Sequence, residues 1–234
     1  MSKKRYLLKL SGEALSGDKG FGFSEEMVTE VAMQVKSLVT AGNEIAIVIG
    51  GGNFWRGRSS ENMDRTKADQ IGMLATVMNC IYTSEIFRGI GLSTSIYTPF
   101  TVGAFTKLFS KDEAVTDLTN GKVVFFAGGT GHPYFSTDTI TTLRAIEIEA
   151  EEILLAKAID GVYDSDPKTN PNAKKYDKIS IDEVIAERLK VMDLTATILI
   201  SENKIPIRVF ALKGENSIIR ALSSEFEGTL VTLE

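Results

Sequence analysis

Ile45-Ala46-Ile47-Val48-Ile49-Gly50-Gly51-Gly52-Asn53-Phe54-Trp55-Arg56-Gly57 is the stretch on which the fold turns. Five apolar residues, mostly β-branched, predict a strand buried on both faces, and three consecutive glycines stop it. Glycines at the carboxyl end of such a strand let the backbone approach a ligand, so that bare N–H groups can meet an anion. A tight turn would use the same residues. Arg56 favours an anion, phosphate in particular, because a guanidinium fork beside exposed amides suits phosphoryl oxygens.

Outward from that stretch, strands and helices alternate. Tyr6–Leu10 reads as a first strand, with Lys9 inside its apolar run, and a glycine-punctuated loop follows from Gly17 to Gly22. Ser24 opens a helix whose Val28, Val31, Val35 and Leu38 share a face, with Gly42 as its stop. Asp69 to Arg88 reads as a long helix with Met73, Leu74, Val77, Met78 and Ile81 as its core residues. Further strands are expected at 93–98, 122–127, 153–156, 206–210 and 228–233, and helices at 110–121, 138–149, from 180, at 193–202 and at 217–223. The polar run from Asp160 to Lys178 reads as a long loop. This alternation predicts an α/β fold, a three-layer α/β/α sandwich with a mostly parallel central sheet. Ligands then bind at the carboxyl ends of strands, where Lys9, Gly50 to Gly52 and Gly128 to Gly131 all fall.

Composition narrows the chemistry. The 234 residues suffice for one large α/β domain or two small lobes with a sizeable core, and the net charge of -5 leaves no basic footprint for nucleic acid or an acidic membrane. No run approaches a membrane span and the amino terminus lacks a signal-peptide core, so a soluble, cytoplasmic protein is expected. Cys80 is the only cysteine and His132 the only histidine, which excludes a disulfide framework and multi-histidine or multi-cysteine metal centres. Asp164 and Asp166 in Asp-Ser-Asp-Pro could pair on a metal, but such a run is more often turn chemistry, leaving no metal site from the protein alone.

Two familiar glycine motifs fail. Neither Gly50-Gly51-Gly52-Asn53-Phe54-Trp55 nor Gly129-Thr130-Gly131-His132-Pro133-Tyr134 supplies the third glycine of the dinucleotide fingerprint, and Gly121-Lys122 is followed by valine rather than Ser or Thr. What remains is one sheet edge with two glycine anion sites, a strand-end lysine and an arginine. Two such sites suit a donor and an acceptor, the requirement of phosphoryl transfer, in which Lys9 and Arg56 would spread the charge of the moving group.

Longer strings carry a resemblance. Lys9-Leu10-Ser11-Gly12-Glu13-Ala14-Leu15, Gly50-Gly51-Gly52-Asn53 with Arg56-Gly57, Gly72-Met73-Leu74-Ala75-Thr76-Val77-Met78-Asn79, Phe135-Ser136-Thr137-Asp138, Asp160-Gly161-Val162-Tyr163, Leu189-Lys190-Val191-Met192-Asp193-Leu194 and Pro206-Ile207-Arg208-Val209-Phe210 resemble the bacterial uridylate kinases of the amino acid kinase superfamily, in order along nearly the whole chain. The resemblance implies ATP and UMP as substrates, UDP as product in pyrimidine nucleotide biosynthesis, Mg2+ arriving with ATP, and a homo-oligomer of six copies. It implies a single domain, with an acceptor part over roughly 1–150 and an ATP part over roughly 151–234.

By motif, the resemblance makes Lys9, Arg56 and Asp138 catalytic. Lys9, Leu10, Ser11, Gly12, Gly52, Arg56, Lys157, Tyr163 and Asp166 would hold ATP, whereas Gly51, Asp69, Thr130, Gly131, His132, Pro133, Tyr134, Phe135, Ser136 and Thr137 would hold UMP. Gly17, Asp18, Lys19, Gly20, Phe21 and Gly22 are similar to a segment that answers GTP as activator, with UTP as inhibitor. His132 stands where the family usually has asparagine. A sister amino acid kinase acting on a carboxylate, such as an acetylglutamate kinase, and a nucleotide-binding regulator remain the alternatives.

Overall fold

The computed structural model describes residues 3–55 and 62–233, so Arg56 lies outside the described residues. Strand β1 (Arg5–Leu10) runs into a short helix α1 (Gly12–Ser16), then helix α2 (Glu25–Thr40) and strand β2 (Glu44–Ile49). Helix α3 (Arg65–Gly89), strands β3 (Thr94–Thr98) and β4 (Lys107–Leu108), helix α4 (Lys111–Thr119), strand β5 (Val123–Phe126) and helix α5 (Thr137–Glu147) follow. Strand β6 (Glu152–Lys157), the strands β7 (Val162–Tyr163) and β8 (Lys175–Tyr176), strand β9 (Lys178–Ser180) and helices α6 (Ile181–Ala186) and α7 (Leu194–Asn203) come next. Strand β10 (Ile207–Ala211), helix α8 (Ser217–Ala221) and strand β11 (Thr229–Thr232) complete the described elements.

Nine strands form one sheet in the order β4-β3-β5-β2-β1-β6-β10-β11-β9. All neighbours pair parallel except β10 with β11, so seven strands point one way and the last two the other. Period-two alternation then sorts the side chains into two cores. Leu7, Val48, Ile153 and Leu155 meet residues of α4, α5, α6 and α7 on one face, whereas Leu8, Ile47, Leu154 and Ala156 meet α1, α2, α3 and α8 on the other. These are the three layers expected of the sequence. Each fully buried Leu or Ile side chain contributes roughly 1.5–3 kcal/mol by leaving water.

Some expectations needed correction. The long helix begins one turn earlier than Asp69, because Asp64 accepts from the amide of Lys67 at 3.2 Å and caps it. On that helix Met73 and Val77 are buried, but Leu74, Met78 and Ile81 are exposed. An apolar residue on each side of a helix leaves periodicity unable to choose the inner face. The polar run from Asp160 contains the antiparallel pair β7–β8, with Val162 opposite Tyr176. Between the first strand and the Gly17–Gly22 loop, Gly12–Ser16 forms a short helix that the sequence reading did not mark. Cys80 is fully buried on α3, and burial pushes its thiol far above the ordinary range. Among the described residues no helix is long and apolar enough to cross a membrane.

Candidate active site

Lys9 shares the face of β1 that Leu7 buries, and Lys157 shares the face of β6 that Leu155 buries. Both strands are parallel neighbours, with Lys9 paired to Leu155, so the two lysines emerge side by side at the carboxyl end of the sheet. The amino terminus of α5 comes down on the same face. It places Asp138 with Oδ1 3.3 Å from Lys9 Nζ, both side chains being largely buried. The contact is an ion pair without hydrogen-bond geometry, and that buried Oδ1 keeps its acceptor capacity. Lys157 Nζ donates to the carbonyl of Val191. Burial pushes the Lys157 ammonium below the ordinary amine range; Asp138 opposes that shift and Lys9 reinforces it. Two desolvated cations around one carboxylate make a site that an incoming polyanion would relieve.

The glycines earn their places by close approach. A Cβ on Gly12 would lie 2.3 Å from Gly50 O and 2.4 Å from Asn53 Oδ1, so the turn after β1 and the turn after β2 touch backbone to backbone. By contrast Gly128, Gly129 and Gly131 have φ of 78°, 59° and 82°, the left-handed region that a side chain resists. Behind both turns stands α3. Asn79 donates to Gly50 O at 2.7 Å and exchanges hydrogen bonds with Asn53 at 2.8 and 2.9 Å, while Thr76 Oγ1 accepts from Gly128 N at 2.8 Å. Asp69 accepts from Arg65 and from the amide of Tyr134, each at 2.8 Å.

Two cavities open along this edge. One, of about 230 Å3, is lined by Gly51, Gly52, Asp69, Thr130, His132, Phe135, Ser136 and Thr137. Of the residues expected around an acceptor, Gly131, Pro133 and Tyr134 do not line it: Gly131 packs on Pro99, and Tyr134 projects outward at φ 72°. Gly52, expected on the ATP side, lines this first cavity. The other cavity, of about 310 Å3, is lined by Lys157, Tyr163 and Asp166 with Val162, Leu189 and Val191. Lys9, Leu10, Ser11 and Gly12 line neither cavity; Lys9 meets Asp138, next to Thr137 of the first, and Leu10 is wholly buried. Asp164 and Asp166 spend their carboxylates on the turn, accepting from Lys174 N at 3.0 Å and Lys168 N at 2.9 Å. Among the described residues no group of three His, Cys, Asp or Glu side chains could hold a metal ion.

Sequence reasoning gave no role to Asn79, Thr76, Arg65 or Asp193. The signals were present, since Arg65 precedes Asp69 by one turn and Thr76 and Asn79 sit in a quoted motif, but their partners are distant in the chain. Asp193 caps α7 through Ala196 N at 3.0 Å and also accepts from Thr139 Oγ1 at 2.9 Å and from Ser136 Oγ, itself the cap of α5. Burial works against its charge, yet the hydrogen bonds from Ser136, Ala196 and Thr139 hold the carboxyl below the usual range. A depressed folded pKa stabilises the protein above the unfolded value of about 3.9 and is lost as pH falls through the folded value. Asp193→Ala should therefore cost about 1–3 kcal/mol in urea unfolding at pH 7. The gap from wild type should close only in acid below pH of about 4, and a constant gap would remove this assignment.

Comparison with known proteins adds to this geometry. The amino acid kinase family model matches residues 4–211. A protein named uridylate kinase from Streptomyces avermitilis is 49% identical over 230 residues, 97% of this chain and 91% of that protein. The crystal structure of UMP kinase from Ureaplasma parvum superposes with a TM-score of 0.94 at 34% identity, covering 99% of this chain and 100% of that one. The UMP kinase structure from Bacillus anthracis gives 0.94 at 36% identity, covering 99% and 96%.

Proposed function

The chain belongs to the amino acid kinase family, and from that premise we propose that it transfers the γ-phosphate of ATP to UMP, releasing ADP and UDP. The observation that carries this reading is the pair of cavities on one sheet edge with Lys9 and Asp138 beside the first and Lys157 lining the second. The first cavity has the size and the polar, glycine-rich lining for a nucleoside monophosphate. The second, walled by Val162, Leu189, Val191 and Tyr163, suits an adenosine.

In this reading UMP occupies the first cavity beside Asp69, Thr130, His132 and Phe135 to Thr137, and ATP enters from the second. Its phosphates run toward Ser11, Gly12 and the Gly50–Gly52 turn. Lys9 neutralises charge on the phosphoryl group in flight, and Lys157 approaches the same oxygens from the next strand. A phosphate acceptor is already an anion, so no strong general base is required. Asp138 holds Lys9 in register. A divalent ion, Mg2+ in our reading, would arrive on the ATP phosphates and supply further neutralisation there. Asp138 Oδ1, buried without a hydrogen-bond donor, is the oxygen of this chain that fits it.

We assign the acceptor part to roughly 1–150 and the ATP part to 151–234 of one domain, in a cytoplasmic enzyme of pyrimidine biosynthesis assembled as six copies. We read the Gly17–Gly22 loop as the segment on which an effector would act. Gly22 exchanges hydrogen bonds with Asn53 at 3.1 and 2.8 Å, so a nucleotide such as GTP or UTP acting there would be felt at the phosphate turn. The functional test is ADP formation from Mg-ATP with UMP, CMP, AMP or N-acetylglutamate offered in parallel. Turnover should be confined to UMP. Turnover with N-acetylglutamate alone would move the chain to a sister family, and none with any acceptor would leave a nucleotide-binding protein.

A further inference from the structure

Behind the turn that follows β2 lies a pair of amides too deep to meet a substrate. Asn53 and Asn79 are both buried, the first on that turn and the second in the middle of α3. Each side chain donates to the other's oxygen, at 2.9 and 2.8 Å, and each spends its second proton on a main-chain carbonyl. Asn79 gives it to Gly50 O at 2.7 Å and Asn53 to Gly22 O at 2.8 Å. A carbonyl can only accept, so the two carbonyls oblige both amides to face them with nitrogen. All four protons of the pair are used.

The effect of Asn79 reaches across the peptide bond. In a planar trans peptide the carbonyl of one residue and the amide of the next point in opposite directions, and no described peptide bond is cis. Asn79 holds the Gly50 carbonyl toward α3, so the Gly51 N–H is turned away from that helix. The next carbonyl is also held, because Gly51 O accepts from the amides of Phe54 and Trp55, each at 3.0 Å. The Gly52 N–H is thereby turned away from the interior of the turn. Gly51 and Gly52 both line the first cavity, and neither amide has an acceptor among the described residues. Of the two peptides, only the first is held by a side chain.

The other glycine turn is held in the opposite sense. Thr76, one turn before Asn79 on α3, takes the Gly128 amide at 2.8 Å. Thr76 therefore consumes an amide, whereas Asn79 occupies a carbonyl and leaves the amide behind it open. We propose that Asn79 is a positioning residue for phosphoryl transfer: touching no substrate, it fixes the Gly50–Gly51 peptide so that the Gly51 amide, with that of Gly52, is presented to phosphoryl oxygens. The orientation requires only this chain; its use in transfer rests on the reading of the chain as a UMP kinase. Asn53 braces Asn79 and ties Gly22, but it makes no hydrogen bond to Gly50 O.

Matched variants separate positioning from mere support. Asn79→Ala and Asn53→Ala break the same reciprocal pair and should lower the urea midpoint alike, yet only Asn79→Ala releases the Gly50 carbonyl. Asn79→Ala should lower kcat about a hundredfold with the KM for UMP within about threefold of wild type. Asn53→Ala should lose no more than about fivefold in kcat. Asn79→Asp, whose carboxylate still accepts from Asn53 but has no proton for Gly50 O, should repeat the large loss. Equal losses in the two alanine variants would make Asn79 a purely structural residue, and normal kcat in either Asn79 variant would equally overturn the proposal. Amide spectra of the ligand-free protein, carrying isotope-labelled glycine, test the orientation without substrate. The Gly51 resonance should move in Asn79→Ala and far less in Asn53→Ala; an unmoved resonance in Asn79→Ala would overturn the orientation. Absence of UMP turnover in the wild type would instead reject the kinase reading and with it the role in transfer, while the spectra would still decide the orientation.

Discussion

Lys9→Ala should lower kcat by about a thousandfold while leaving the KM for UMP within about threefold of wild type. Lys9 lies on the central strand, with the Asp138 carboxylate 3.3 Å away and the first cavity alongside. In the proposed reading its charge acts where negative charge moves between donor and acceptor, not where the uracil or ribose is held. Removing it also takes the ion-pair partner from the Asp138 carboxylate, which still acts on the buried Lys157. Steady-state kinetics with UMP and ATP varied separately give the answer. Near-normal turnover would overturn the proposed role of Lys9, and a selective rise in the UMP KM would make Lys9 a binding residue.

Gly12→Ala should be nearly as damaging by a different route. The added methyl carbon would start 2.3 Å from Gly50 O and 2.4 Å from Asn53 Oδ1. Neither can retreat freely, because Gly50 O also accepts from Asn79 and Asn53 is tied to both Asn79 and Gly22. Overpacking of a rigid contact costs about 1–3 kcal/mol, and here the displaced atoms belong to the turn proposed to receive the ATP phosphates. Activity should fall at least about a hundredfold, with a lower urea midpoint. A variant as stable and active as wild type would mean that the two turns separate easily.

The strands were readable because their apolar runs are short, β-branched and punctuated by glycine. Ile45–Ile49 and Val123–Phe126 fall where expected for that reason. The reversal of β11 and its partnership with β9 were not readable, since a four-residue strand of alternating burial carries no direction in its sequence. The inner and outer faces of α3 were misassigned for Leu74, Met78 and Ile81 because hydrophobicity says that a residue avoids water without saying what it meets instead. In the site, Lys9 and the glycines announced themselves by being out of place in an apolar strand or repeated. Asp193 and Asn79 did not, because a hydrogen-bonded polar residue is ordinary until its partners, 54 positions away for Asp193 to Thr139, are known.

The sheet ends in β4 and β9, strands of two and three residues. A broad parallel sheet is ordinarily an aggregation hazard, because its rims offer unpaired amides and carbonyls to any extended chain. Here nine strands taper to rims too short to template another strand. Copies at high cellular concentration are thus steered away from open-ended, backbone-driven polymerisation and toward closed contacts between side chains.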